Sequence, residues 1–336
     1  MKKIVFAFFA LVIGNVFSQQ DKSISMWYHS PMMYNAGSIA TGQEDFGFFT
    51  NFRYQWLAVS DKPIRTNIIN ASFKIPDGFL GTNNFGIGLN VMNDQTGTLG
   101  FTTNTISVPI NYTLALDRRN KLSIGISPGF YQQSYTSSGQ TWEDQWTGSS
   151  FNPALNTEPS LGLSYATIDI STGVFYQHSM RNRTLLYGGV GLNHVNKQKI
   201  NFSFGGDRLY MQTVVHAGAN IVTKKRDLRI NPQIMYFKTG PGSNLVGGVS
   251  LEHILKEGSA ITNINKTVTV DYGFYYRHRD ALITTFGFKI KGFKMGVSFD
   301  ANLSYFNQAT NSIGAVEIYI KTLHLYNNSN KRGKIK

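Results

Sequence analysis

The sequence predicts an all-β chain: a transmembrane antiparallel β-barrel of about fourteen strands, with short periplasmic turns and longer external loops. Three observations carry that prediction. Apolar and polar residues alternate with a period of two along most of the chain, in stretches of roughly 9–15 residues, longer than soluble strands usually run. Beyond the N-terminal apolar stretch, polar residues interrupt every apolar run within a few positions, so no helical span remains. The composition is rich in glycine (33) and aromatics (13%) but only 15% charged, against about 25% in average globular chains. A surface that is apolar outside and polar inside has that composition. A large soluble β protein could share it, so the alternation and the strand length carry the argument.

The first eighteen residues look like a removable signal peptide. Lys2 and Lys3 precede the apolar run Ile4 to Ile13, which is too short to span a bilayer, and Val16 and Ser18 fit a small-residue cleavage pattern before Gln19. An exported chain is expected. It has no cysteine, so no disulfide, lipid-bearing thiol or thiolate metal site is available. The formal charge of +13 invites a nucleic-acid reading, against which export and the expected one-ended placement of the charges both argue.

Residues 19–44 are polar and irregular but carry Met26, Trp27, Tyr28, Met32, Met33 and Tyr34. Disordered tails are poor in such residues, so a periplasmic or lumen-packing segment is expected there. The barrel is expected over 45–326 and a basic tail over 327–336. The first strand, Asp45 to Leu57, sets Phe46, Phe48, Thr50, Phe52, Tyr54 and Trp56 on one face and Gly47, Asn51, Arg53 and Gln55 on the other. In a barrel the first face meets lipid, with Trp56 in the interface belt, and Arg53 and Gln55 point into the lumen.

Further strands are expected at Arg65 to Ile75, Phe85 to Met92, Thr103 to Leu116, Lys121 to Tyr135, Tyr165 to His178, Thr184 to Asn193, Leu209 to Val222, Leu228 to Lys238, Ser243 to Leu251, Thr267 to Arg277, Ala281 to Ile290, Phe293 to Leu303 and Ser312 to Leu325. Pro109, in mid-strand, predicts a bulge. Asn93-Asp94-Gln95-Thr96-Gly97 reads as a turn, opening a loop to Phe101.

Alternate connections differ in character. Those containing Arg118-Arg119, Arg181 and Arg183, Lys224-Lys225-Arg226, and Lys289 to Lys294 are mostly short and basic; the other set includes the long loops Thr136 to Ser160 and His194 to Arg208. Short turns face the periplasm in outer-membrane barrels, so positive charge is expected at the periplasmic rim, where an acidic partner could dock.

Chemistry is sparse. The seven histidines are scattered without an HxxxH or HExxH pair, and no G-x-S-x-G elbow or P-loop occurs. No enzyme activity, cofactor or metal is expected. Arg53, Asp169, Asp271, Asp300 and Glu317 read as interior polar groups that pair or stay wet.

Several residue groups, in order, resemble a known family. Tyr34-Asn35-Ala36-Gly37, Arg53-x-Gln55-Trp56 and Pro63 are followed by Gly86-Ile-Gly-Leu with Asn93-Asp94-x-x-Gly97, then Lys121-Leu-Ser-x-Gly125. Phe293-x-x-Gly296-x-Ser298-x-Asp300 and Glu317 complete the series. Together they are similar to the PorP/SprF family of the Bacteroidetes type IX secretion system. The family usually has Pro after Tyr-Asn, where this chain has Ala36, and Trp142 to Thr167 matches poorly.

The resemblance implies an outer-membrane barrel that assists secretion or surface retention of large cargo, including gliding adhesins, and that contacts periplasmic ring or motor components. The candidate partner-binding positions are Tyr34, Asn35, Arg53, Gln55, Trp56, Asn93, Asp94, Asp300 and Glu317 from these motifs, and Arg118, Arg119, Lys224 and Lys225 from the basic turns. The alternatives are a channel for small hydrophobic molecules plugged by Met26 to Tyr34, and a soluble β-propeller or sandwich.

Overall fold

The computed structural model describes residues 23–324 apart from 43, 76–83, 98–99, 136–142, 153–154, 156–163, 201–207, 225–226, 257–266 and 305–306. The expected signal peptide, the basic tail and Lys225 lie outside the described residues.

The described strands are β1 (Phe46–Gln55), β2 (Ile64–Lys74), β3 (Phe85–Thr96), β4 (Phe101–Ser107), β5 (Ile110–Ala115), β6 (Asn120–Ser134), β7 (Ser164–Ser179), β8 (Leu185–Asn193), β9 (Gln212–Val222), β10 (Leu228–Thr239), β11 (Gly242–Lys256), β12 (Val268–Arg277), β13 (Ala281–Ile290), β14 (Phe293–Asn302) and β15 (Ile313–His324). All neighbours run antiparallel. β1 pairs with both β15 and β2, and β2 pairs with β3, so the ladder closes on itself. Both β4 and β5 pair with β3 on one side and β6 on the other, so they are two parts of one stave. The result is a closed 14-strand antiparallel barrel, the class the alternation predicts.

Pro109 interrupts the fourth stave because it has no N–H to give the ladder. Its carbonyl still accepts from Gly88 N (2.8 Å), and Val108 N reaches the Pro128 carbonyl at 2.9 Å. The wall therefore stays bonded across the break.

Side chains sort by parity. Phe52, Tyr54, Ile69, Ile126, Phe274, Phe286 and Ile318 point outward and are exposed. Asn51, Arg53, Asn70, Ser127, Tyr275, Thr285 and Glu317 point inward and are buried. Greasy outside and polar inside is the inverse of a soluble domain, and it is what a hydrocarbon solvent requires.

Two expectations are corrected here. Asn93 to Thr96 form the last turnless stretch of β3, not a turn: Asn93 pairs across to Asn67 and Asn104, and Asp94 to Thr66 and Thr103. The chain bends at Gly97, at φ 70°, and again at Gly100, at φ 58°. Residues that cap turns in water serve equally as polar lumen residues, so their presence does not end this strand. The expected strand edges at Leu209 and Leu251 also move, to Gln212 and Lys256.

The connections divide between the two ends. The ends of β2, β5, β7, β9, β11 and β13 lie at one end with the start of β1 and the end of β15; the ends of β1, β3, β6, β8, β10, β12 and β14 lie at the other. Arg118, Arg119, Arg181, Arg183, Lys224 and Lys291 are exposed on the first set, called here the basic end. In one of its turns, Asp117 accepts from the Asn120 side chain and from the N–H groups of Arg119 (2.6 Å) and Asn120 (2.9 Å). These bonds favour the ionised carboxylate and hold its pKa below the usual value. The second set, called the loop end, also exposes Lys62, Lys197, Lys199, Arg208 and Arg279, so the expected collection of positive charge at one end is corrected: turns at both ends are solvated and both carry it.

Ile126 stands outward near the middle of β6. Ile126→Arg should cost about 2–4 kcal/mol in denaturant unfolding from lipid vesicles. An unchanged midpoint would mean that this face does not meet hydrocarbon.

Candidate functional site

The inward face of the barrel is occupied by the chain's own residues 23–42. Three short 3-10 turns, Trp27–His29, Pro31–Met33 and Ala36–Ser38, carry this segment. Ser23 lies with Arg53, Gln55, Arg277 and Asp280 near the loop end. The Gly42 carbonyl accepts from Lys74 Nζ (3.3 Å) at the basic end. The segment thus runs along the lumen from one end to the other. Its apolar side chains supply a core: Ile24, Met26, Trp27 and Tyr34 pack with Phe49, Val214, Met235, Tyr275 and Tyr319 of the wall.

Near the loop end the segment is held by a charge cluster. Arg53, Asp300 and Glu317 come from β1, β14 and β15, and Arg277 from β12. All four are buried. The Arg53 guanidinium contacts Glu317 Oε1, with Asp300 Oδ2 at 3.3 Å; Arg277 reaches the same Asp300 oxygen at 3.1 Å. Arg277 also pairs with Asp280 at 3.1 Å. Two guanidiniums against two buried carboxylates balance the charge, which a low-dielectric interior demands.

Ser25 sits at the centre of this cluster. Its N–H donates to Glu317 Oε1 (2.6 Å) and Met26 N–H to Glu317 Oε2 (3.2 Å). Its hydroxyl donates to Asp300 (2.6 Å) and accepts from Arg53 and Arg277, both at 2.7 Å. The network therefore holds backbone as well as side chain, and it ties residues almost the full chain apart.

The middle of the segment is held by shape. Asn35 caps its own turn by accepting from Gly37 N (2.9 Å). Its amide nitrogen donates to the Val174 carbonyl (2.9 Å) and lies 3.0 Å from His216 Nε2. The wall opposite is bare backbone. A Cβ added at Gly191 would overlap the Tyr34 carbonyl; at Gly173 it would overlap the Asn35 side chain; at Gly125 it would overlap the Ala36 carbonyl. Glycine is required at these places so that two backbones can approach. Asn111 completes the seat by donating to the carbonyls of Gly37 (3.1 Å) and Ile39 (2.7 Å).

The candidate positions from sequence fall into three places. Arg53, Asp300 and Glu317 meet in the charge cluster; Gln55 accepts from Arg53 (3.4 Å). Trp56 ends β1 at φ 63° and donates its N–H to the Gly314 carbonyl (2.9 Å). Asp94 lines the same loop-end cavity as Arg53 and Trp56, accepting from Thr66 Oγ1 (2.6 Å) and Thr96 Oγ1 (3.2 Å). Asn93 bonds Asn104 (2.7 Å).

Tyr34 and Asn35 lie elsewhere, inside the lumen, and Tyr34 Oη accepts from Ile24 N (3.2 Å). The motif Tyr34 to Gly37 is seated against β6, β7 and β8, because its backbone fits their glycines. Arg118, Arg119 and Lys224 stand exposed at the basic end, apart from both groups.

Sequence reasoning missed Ser25, Arg277 and His216. Ser25 carried no signal, being one serine in a polar stretch. Arg277 did: it is an inward-parity charge in β12, like Arg53 in β1. The other interior carboxylates are also paired. Asp169 Oδ1 lies 2.9 Å from His194 Nδ1, and Asp271 Oδ1 lies 3.0 Å from Lys294 Nζ. Among the described residues no group of three or more His, Asp or Glu is arranged to hold a metal ion.

Two substitutions test the seat. Arg53→Glu leaves excess buried carboxylate and should cost about 3–5 kcal/mol, read as a lowered unfolding midpoint in detergent and new protease cleavage within residues 23–42. Wild-type resistance in that variant would mean that Arg53 is merely solvated. Gly191→Val should dislodge Tyr34 and Asn35, at a cost of about 1–3 kcal/mol, while the barrel still migrates as a folded species in unheated gels. An unaltered cleavage pattern would show that the glycine seat is not needed.

Comparison with known proteins gives the family. Solved structures similar in architecture include the CymD monoaromatic hydrocarbon channel, at 10% identity and TM-score 0.47, covering 88% of this chain and 93% of that one. A Pseudomonas aeruginosa FadL homologue is similar at 8% identity and TM-score 0.47, covering 86% and 92%. No curated protein matches the sequence. Residues 16–322 match the family described as type IX secretion system membrane protein PorP/SprF. That match takes in every strand of the barrel except the last residues of β15, and the chain belongs to the PorP/SprF family of type IX secretion system membrane proteins.

Proposed function

We propose that this outer-membrane barrel is a non-enzymatic part of the type IX machinery that helps secrete or retain one large surface protein of adhesin type. In this reading the loop end faces outward and meets the cargo, while the basic end faces the periplasm and meets ring or motor components. The observation that carries the proposal is the occupied lumen. A conduit for solute needs a free path, whereas residues 23–42 fill the interior and are fixed at Ser25 and at Asn35 by buried bonds. A filled barrel is suited to act as a rigid membrane-anchored platform. Arg118, Arg119 and Lys224, exposed at the basic end, offer a docking face to an acidic partner. Membrane lipids contact the outward apolar band, and neither cofactor nor nucleic acid has a part in the reading.

A second reading has one observation in its favour. An N-terminal segment inside a barrel is also how a plugged channel for small hydrophobic molecules would be built. Deletion of the gene, with surface labelling and whole-proteome comparison of the secreted fraction, separates the two. The platform reading expects one large surface protein to be lost or degraded. Normal display of every type IX cargo, together with conductance of the reconstituted barrel, would replace it with the channel.

A further inference from the structure

The basic end has a second feature besides its turns. Just inside it, a cavity of about 240 Å³ is walled by inward-facing residues of the last strands and by the Tyr28-His29 turn. Arg229, Lys289, Lys294 and Lys321 all line it. Arg229 is 3.4 Å from Glu252, and Lys294 is 3.0 Å from Asp271. The other two have no carboxylate within ion-pairing distance among the described residues. Lys321 Nζ donates to the His29 carbonyl (2.8 Å), and neither Lys289 nor Lys321 makes an ion pair among the described residues; Glu44 is the remaining carboxylate at the cavity.

The ring of His29 gives a second, independent sign. It is 9% exposed and stacks on Tyr319 at 4.3 Å between centroids. Its Nε2 is buried without a hydrogen-bond partner among the described residues. A buried polar atom of this kind costs about 1–3 kcal/mol unless something bonds to it. In the tautomer that carries its proton on Nε2 the ring offers a donor to a carboxylate, beside four cations that outnumber Glu44, Glu252 and Asp271 by one.

We propose that this mouth of the lumen is a carboxylate-binding site that takes an acidic segment of a protein partner. The inference rests on the reading above that a partner docks at this end, and it adds where the docking reaches. Low-dielectric walls focus the field of the two lysines, and the exposed arginines and lysines of the turns extend it outward as a funnel. The site faces the lumen and not lipid, so a lipid headgroup does not reach it. A single small anion would satisfy one lysine but not span from the rim to Lys321. A chain segment bearing several Asp or Glu residues spans that path.

The test uses the whole barrel in nanodiscs, with fluorescein-labelled hexaglutamate as probe and hexaglutamine as control, read by fluorescence anisotropy. Hexaglutamate is expected to bind and hexaglutamine not. Lys289→Gln and, separately, Lys321→Gln should weaken binding by about 10-fold or more, as loss of one partner of an enclosed charge pair does. Arg118→Gln with Lys224→Gln should weaken it less. Lys289 is half-buried, so its variant keeps the test valid if Lys321→Gln does not fold, which unheated gel mobility reports.

Equal binding by both lumen variants and wild type would overturn the mouth site while leaving docking on the rim intact. Full displacement by inorganic phosphate at the concentration of peptide would also overturn it, in favour of a small-anion site. Absence of hexaglutamate binding, with periplasmic proteins still co-purifying, would sink this inference alone; loss of co-purification as well would sink the functional reading beneath it.

Discussion

Hydrocarbon offers no partner for a backbone N–H or C=O, and that constraint governs everything else in this molecule. A chain that crosses as strands must return its last strand to its first, and here β15 does so against β1. Once the ladder is closed, side-chain parity is no longer free. Phe52 and Tyr54 go to lipid, so Asn51 and Arg53 must go inside. The polar residues that a soluble sheet would present to water are collected in the interior of the barrel.

A polar interior then needs its own counterparts. Arg53 and Arg277 face Asp300 and Glu317, so the cluster is near neutral, yet the carboxylates keep lone pairs to spare. Ser25 and Met26 supply donors for them from outside the wall. The segment that fills the lumen is thus held by the same groups that the closed ladder forced inward. At Asn35 the logic changes from charge to contour. Gly125, Gly173 and Gly191 remove side chains from the wall so that a second backbone fits against it, and Asn35 supplies the polar contacts that bare backbone needs.

Charge at the ends of the barrel follows from the same solvent boundary. Turns lie outside the hydrocarbon and are free to carry lysine and arginine, and they do so at both ends, with Arg118, Arg119, Arg181, Arg183, Lys224 and Lys291 at one and Lys62, Lys197, Lys199, Arg208 and Arg279 at the other. Inside the basic end the balance is less complete than at the cluster: Lys289 and Lys321 lack the carboxylates that Arg53 and Arg277 have. The contrast between a neutralised interior and an unneutralised mouth underlies the assignment of the basic end as a docking face.

The alternation of β1, β6 or β13 is a local property and could be read directly, as could the sidedness of the turns, since strand count fixes which connections share an end. Chemistry that depends on meeting across the barrel could not. Ser25 and Glu317 are 292 positions apart, and nothing near either residue announces the other. Asn93-Asp94 misled because the residues that favour turns are also those that suit a polar lumen; Asp94 is buried against Thr66 near the end of β3, still within the ladder. Tyr34 to Gly37 could be recognised as a motif but not placed, because its seat is made of glycines on three strands more than eighty residues away in sequence. The sequence by itself determined a closed barrel with grease outside and polar groups inside, because period and parity are written residue by residue. Only the tertiary structure decided that the lumen is filled, which charges balance and which stand alone, because closure alone brings those distant positions within bonding distance.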